Sequence, residues 1–136
     1  MKASDLFVKC LEEEGVTRIF GVPGEENADF MISLKQSKKI EFILCRHEQA
    51  AAFMADAYGR LTGKAGVCLS TLGPGVTNLM TGLADANMDR SPVVAIIGQG
   101  STNRLHKESH QIMDSISMVH PISKWAQTIL SAKNIT

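Results

Sequence analysis

His47 and Glu48 are adjacent, and Gln49-Ala50-Ala51-Ala52 follows them. A zinc-hydrolase helix needs a second histidine at position 51 to complete H-E-x-x-H on one face, and that position is Ala51. Hydrolytic zinc is therefore excluded here. What remains is a carboxylate at the head of a helix, followed by side chains too small to shield it, so a flat ligand can come close. The same glutamate also has a plain structural use, which is to complement the positive end of the helix dipole.

Three further stretches combine glycine with polar groups. Gly21-Val22-Pro23-Gly24-Glu25-Glu26-Asn27 lies where a strand gives way to a helix, the place where open parallel sheets bind ligands. It is not G-x-G-x-x-G, and a simple strand-to-helix turn explains it equally well. Thr71-Leu72-Gly73-Pro74-Gly75-Val76-Thr77-Asn78 has two glycines that admit a ligand to the backbone, and an amide, Asn78, that both donates and accepts. No lysine stands where a G-x-x-x-x-G-K-[ST] phosphate loop needs one. Gly98-Gln99-Gly100 is followed by Arg104, His106, Lys107, His110 and Gln111, a polar run suited to the edge of a site. His106 and His110 are four apart, but without a third ligand they do not make a metal site, and none is expected in this chain.

The elements that would position these groups alternate between helical and strand patterns, which predicts an α/β fold: a parallel sheet flanked by helices on both faces. Ser4 suits the N-cap of a helix carrying Leu6, Phe7, Cys10 and Leu11, with Gly15 as its stop. Thr17 to Val22 reads as a buried strand, Asn27 to Gln36 as a helix, and Ile40 to Cys45 as the next strand. From His47 to Leu61, Ala50, Phe53, Met54, Ala57, Tyr58 and Leu61 recur at three and four, which predicts that this face packs inward and that Gly63 ends the helix. Ala65 to Thr71 is a strand, and the turn after it opens a helix on Val76, Leu79, Met80 and Leu83 that ends near Arg90. Pro92 to Gly98, with Val-Val-Ala-Ile-Ile inside it, is expected to be a central strand buried on both faces. A helical stripe returns only from about Ile112 to Val119. Ile122-Ser123-Lys124-Trp125-Ala126 looks like the start of another strand-and-helix unit, so the fold is expected to be truncated at its C-terminal end.

The 136 residues suit one domain, and 44% hydrophobic with 21% charged residues excludes disorder. Fourteen basic residues balance fourteen acidic ones, so there is no field to draw nucleic acid or an anionic membrane as partner. No apolar run has the length of a membrane span, and no signal peptide is evident. Cys10, Cys45 and Cys68 are odd in number and widely spaced, which fits reduced thiols in a cytoplasmic protein.

The quoted blocks, with Arg46-His47-Glu48-Gln49-Ala50-Ala51-Ala52-Phe53-Met54-Ala55-Asp56, Tyr58-Gly59-Arg60 and Ala84-Asp85-Ala86, stand in an order that resembles the N-terminal pyrimidine-binding domain of thiamine-diphosphate enzymes related to acetolactate synthase. The likeness runs from about residue 4 to residue 126. It implies that Glu48 is catalytic: it hydrogen-bonds N1′ of the aminopyrimidine and favours the 4′-imino tautomer that takes the C2 proton of the thiazolium. It further implies that Pro23, Gly24, Pro74 and Asn78 bind the pyrimidine half of the cofactor, and that Gln111 and Lys124 stand near the substrate.

The implied parent enzyme is a magnesium-dependent transferase of branched-chain amino acid biosynthesis, joining two pyruvate units with loss of carbon dioxide. His110-Gln111-Ile112 departs from the Phe-Gln-Glu of biosynthetic acetolactate synthases, which keeps sister readings open. These are a 2-keto-acid or oxalyl-CoA decarboxylase and a sulfoacetaldehyde acetyltransferase, beside a non-catalytic module that reuses the fold. In such enzymes a further domain carries Gly-Asp-Gly…Asn for diphosphate and Mg2+, and no Gly-Asp-Gly occurs here. The resemblance thus implies an incomplete N-terminal domain over residues 1–136, inactive alone, that supplies half of a site shared within a homodimer or tetramer. FAD in the parent is left open.

Overall fold

The computed structural model describes residues 1–105 and 107–136, and the expectation for His106 lies outside them. The chain runs α1 (Ala3–Glu13), β1 (Arg18–Gly21), a 3-10 turn (Glu25–Asn27), α2 (Ala28–Leu34), β2 (Glu41–Leu44), α3 (Glu48–Thr62), β3 (Gly66–Ser70), α4 (Pro74–Met88) and β4 (Val93–Ile97). After a further 3-10 turn, α5 (Ser115–Val119) is the last α-helix. The four strands form one parallel sheet in the order β2-β1-β3-β4. The chain leaves β1 for β2 on one side and reaches β3 on the other, so strand order reverses between β1 and β3. That gap is the topological switch point at which open α/β sheets receive ligands.

Alternation along the strands divides the core in two. Ile19, Val67 and Leu69 point to one face, where they meet Val8 and Leu11 of α1, Phe30 and Leu34 of α2, and Ile40. Phe20 and Cys68 point to the other, against Ala51, Ala52 and Ala55 of α3 and Leu79 of α4. Helices therefore cover both faces, as the sequence predicts. Gly15 stops α1 at a φ of +77° and Gly63 caps α3 at +69°, both left-handed positions that a side chain resists. Ser4 does not cap α1. The helix begins at Ala3, the backbone N–H of Lys2 donates to Asp5 Oδ2 at 2.9 Å, and Ser4 Oγ instead accepts from Ser33 on α2 at 2.8 Å.

The inward face of α3 is the reverse of the expected one. Glu48, Ala51, Ala52, Ala55, Asp56 and Gly59 are buried, while Ala50, Phe53, Met54 and Ala57 are exposed and Leu61 is 87% exposed. Close approach explains the inversion. A methyl group on Gly66 of β3 would stand 1.9 Å from the Ala55 carbonyl oxygen, and one on Gly82 of α4 would stand 2.6 Å from Ala52 Cβ. Only a small-residue face lets α3 lie that near both the sheet and α4, so the larger apolar side chains are turned outward.

Three further expectations fail in the C-terminal part. β4 is an edge strand, not a central one, and Val94 is 44% exposed. Residues 120–122 form a 3-10 turn and residues 123–130 join no strand, so no new strand-and-helix unit begins at Ile122. The last α-helix starts at Ser115 rather than Ile112, because Asp114 caps it through Ser117 N–H at 3.0 Å. No helix among the described residues is long and apolar enough to cross a membrane.

Candidate functional site

The carboxyl ends of β1, β3 and β4 converge beside the N-termini of α3 and α4. His47 caps α3 by accepting the Gln49 N–H at 3.1 Å, which places Glu48 as the first residue of the helix. Pro74 opens α4, its fixed φ suiting the first helical position, and one turn later Asn78 projects toward α3. Asn78 Nδ2 donates to Glu48 Oε2 at 2.9 Å. Glu48 is only 9% exposed, so this bond orients a largely buried side chain.

The other carboxylate oxygen borders bare backbone. A methyl group placed on Gly75 would lie 3.5 Å from Glu48 Oε1, 3.3 Å from Ser70 Cβ and 3.2 Å from Thr71 Cγ2. Glycine at position 75 thus keeps open the space beside Oε1. Across the switch point, a methyl on Gly24 would meet Thr71 Cβ at 2.5 Å, and Gly24 N–H donates to Asn27 Oδ1 at 2.9 Å. Asn27 is buried, and its Nδ2 has no hydrogen-bond partner among the described residues. A carboxylate with one oxygen tied and the other fronting a glycine suits a flat heteroaromatic ring that presents a nitrogen to it.

Most of the candidate residues read from the sequence gather here. Glu48 and Asn78 are bonded, and Gly24 abuts Thr71 on the turn that leads to Gly75. Pro23 and Pro74 are exposed at the rims of the two turns. Gln111 reaches the same end of the sheet: a methyl on Gly73 would stand 2.8 Å from Gln111 Cβ and 2.9 Å from its carbonyl oxygen. Gly73 and Gln111 both hold positive φ, at +59° and +56°, which is uncommon for a glutamine and is a form of strain that clusters at functional sites. Lys124 is exposed in the bend after the 3-10 turn, with no hydrogen bond to Glu48, Asn78 or Gln111 among the described residues. Glu26 and Thr71 also belong to the site, and their side chains bond across the switch point at 2.9 Å. Both stand inside quoted motifs, but residues 45 apart carry no local signal of pairing.

Charge elsewhere is structural. Arg60 bonds Asp56 on its own helix at 2.9 Å and Asp85 on α4 at 2.9 Å, and also reaches Asp89, which ties α3 to α4. The guanidinium holds the Asp56 carboxyl below its ordinary 3.8. Burial pushes the Cys68 thiol up to about 12 and raises Cys45 as well. No group of three or more His, Cys, Asp or Glu among the described residues is placed to hold a metal ion.

A carboxylate at a helix head, backed by an amide and opening on a glycine turn at a switch point, has the form of a pocket for a flat heteroaromatic ring. Consistent with this, the family described as thiamine pyrophosphate enzyme, N-terminal TPP binding domain, matches residues 1–118, and the chain belongs to that family. Within it, the chain is 46% identical over 134 residues to an acetolactate synthase of Bacillus subtilis (strain 168), a match covering 98% of this chain. It is 47% identical over 124 residues, 91% of this chain, to a probable acetolactate synthase large subunit of Methanocaldococcus jannaschii. A glyoxylate carboligase of Escherichia coli O157:H7 is 41% identical over 133 residues, 97% of this chain. The chain spans 23%, 21% and 22% of these relatives' own lengths, about a fifth of each.

Proposed function

We propose that this chain supplies the pyrimidine-binding half of the active site of an acetolactate-synthase-like carboligase. The observation that carries the reading is the buried Glu48 carboxylate, anchored by Asn78 on Oε2 and bordered on Oε1 by the glycine at position 75. When bound, thiamine diphosphate supplies a carbon nucleophile that adds to a 2-keto acid and accepts the electrons released with carbon dioxide. Glu48 holds a proton against N1′ of the pyrimidine. Asn78 keeps that carboxylate oriented, Thr71 packs into the space left by Gly24, and the absence of a side chain at Gly75 leaves the space beside Oε1 clear for the ring. Gln111, pressed against Gly73, stands on the substrate side.

The diphosphate and Mg2+ are assigned to a further domain, which the relatives' greater length accommodates. The outward stripe of Phe53, Met54 and Leu61 begins little more than one turn beyond Glu48, and such an apolar surface favours a second subunit in a homodimer.

The test is Glu48→Gln in the full-length gene product, with hydrogen-deuterium exchange at the thiazolium C2 followed by NMR after acid quench. Exchange should slow by at least about a hundredfold while the fold is retained. Unchanged exchange overturns the assignment. Formation of 2-acetolactate from pyruvate tests the reaction, and turnover of glyoxylate in its place would move the substrate toward that of the Escherichia coli relative.

A further inference from the structure

We propose that Glu26 and Thr71 form a positioning pair that sets the gap between the two glycine turns and thereby the cofactor affinity of the site. This rests on reading the Glu48 site as the pyrimidine site. Thr71 Oγ1 donates to Glu26 Oε2 at 2.9 Å, and this bond crosses the switch point between the segments that follow β1 and β3. Thr71 is the central piece. On one side it fills the space where a Gly24 side chain would be, at 2.5 Å, and on the other its Cγ2 would be 3.2 Å from a methyl on Gly75. The same hypothetical methyl is 3.5 Å from Glu48 Oε1, so the Thr71 rotamer borders the space next to the acid.

The bond from the Thr71 hydroxyl to Glu26 fixes which χ1 rotamer Thr71 holds between the two glycines. Glu26 is itself seated. A methyl on Gly98, just after β4, would stand 3.4 Å from both Glu26 Cβ and Thr71 Cα, so the ends of three strands close around the pair. Without the bond, Thr71 is free to swing its hydroxyl toward Gly75 in place of the methyl that now borders it, and the two turns lose their shared spacer. The carboxylate chemistry at Glu48 is unaffected, and what is lost is the preorganised width of the slot.

The experiment uses the full-length protein with thiamine diphosphate and Mg2+, reading the cofactor's dissociation constant by equilibrium dialysis and C2 exchange at saturating cofactor. Thr71→Val, which keeps the shape and removes the donor, should weaken cofactor binding at least tenfold, while exchange at saturation stays within about threefold of wild type. Thr71→Ser and Glu26→Gln, which keep a donor and an acceptor, should restore binding to within about threefold. Glu26→Ala should match Thr71→Val, and the double variant should be no weaker than either alone. Glu26 is only partly buried, so Glu26→Ala carries the test should Thr71→Val fail to fold. Wild-type affinity in either Thr71→Val or Glu26→Ala, or additive losses in the double variant, overturns the pair. If Glu48→Gln slows exchange but these variants bind as wild type does, the positioning role falls and the pyrimidine site stands. If Glu48→Gln leaves exchange unchanged, the site reading itself falls.

Discussion

Gly82 offers a direct test of whether close packing of α3 on α4 sets the acid's geometry. It lies four residues beyond Asn78 on α4, and Ala52 lies four beyond Glu48 on α3, so the tightest contact between the helices is one turn from the Asn78–Glu48 bond. In Gly82→Ala the new methyl would stand 2.6 Å from Ala52 Cβ and 3.0 Å from Phe53 N. Ordinary carbon contacts need roughly 3.5 Å, and neither Cβ has a rotamer to escape into, so the helices must part by roughly 1 Å. Overpacking of that kind costs about 1–3 kcal/mol. The better helix propensity of alanine returns about 1 kcal/mol, which leaves a net loss of up to about 2 kcal/mol.

Carried to the 2.9 Å bond between Asn78 and Glu48, a displacement of roughly 1 Å would take it past about 3.5 Å, where it is no longer a hydrogen bond. Urea unfolding of the chain should show the stability loss, and cofactor binding by the full-length protein should weaken with it. Ala52→Gly combined with Gly82→Ala moves the methyl from one helix to the other and should recover stability to within about 1 kcal/mol of wild type. A Gly82→Ala chain stabilised by the full propensity gain of about 1 kcal/mol, or a double variant no better than the single one, would refute the packing argument.

Two further outcomes follow from the charges and thiols. Arg60 holds the folded-state pKa of Asp56 below the ordinary 3.8, so its stabilising effect is complete above that value and is lost as pH falls through the lower folded value. Acid titration of stability should therefore be shallower below pH ~4 in Asp56→Asn than in wild type, and parallel curves would remove Asp56 from the acid response. For the thiols, burial raises Cys45 and takes Cys68 to about 12, whereas Cys10 is only partly buried. In the native chain a thiol reagent at pH 8 should modify Cys10 alone, with Cys45 and Cys68 reacting only in urea. Rapid native labelling of all three would contradict the burial of Cys45 after β2 and of Cys68 in β3.

The legible part of the site was the part written in consecutive residues. A strand end followed by a glycine turn and a helix start is a local pattern, so Gly24, Glu48, Gly75 and Asn78 could be picked out without knowing where they meet. The face of α3 was misread because periodicity identifies an apolar stripe but not its neighbour. Ala50, Phe53, Met54, Ala57 and Leu61 satisfy the helical period as well as Ala51, Ala52, Ala55 and Gly59 do, and hydrophobicity favours the larger set. β4 was misplaced for a similar reason, since Val-Val-Ala-Ile-Ile reads as a doubly covered strand wherever it stands in a sheet.

By itself, then, the sequence determined the element order, the α/β class, the glycine turns and the glutamate at the head of a helix, because each depends on residues within a turn or two of one another. Tertiary structure decided what those pieces do together. The strand order places the segments after β1 and β3 on either side of a switch point. The small face of α3 brings Glu48 within 2.9 Å of Asn78, and Thr71 reaches Glu26 across 45 residues of chain. These are distances between segments remote in sequence, set by how closely backbones approach, and no local spacing encodes them.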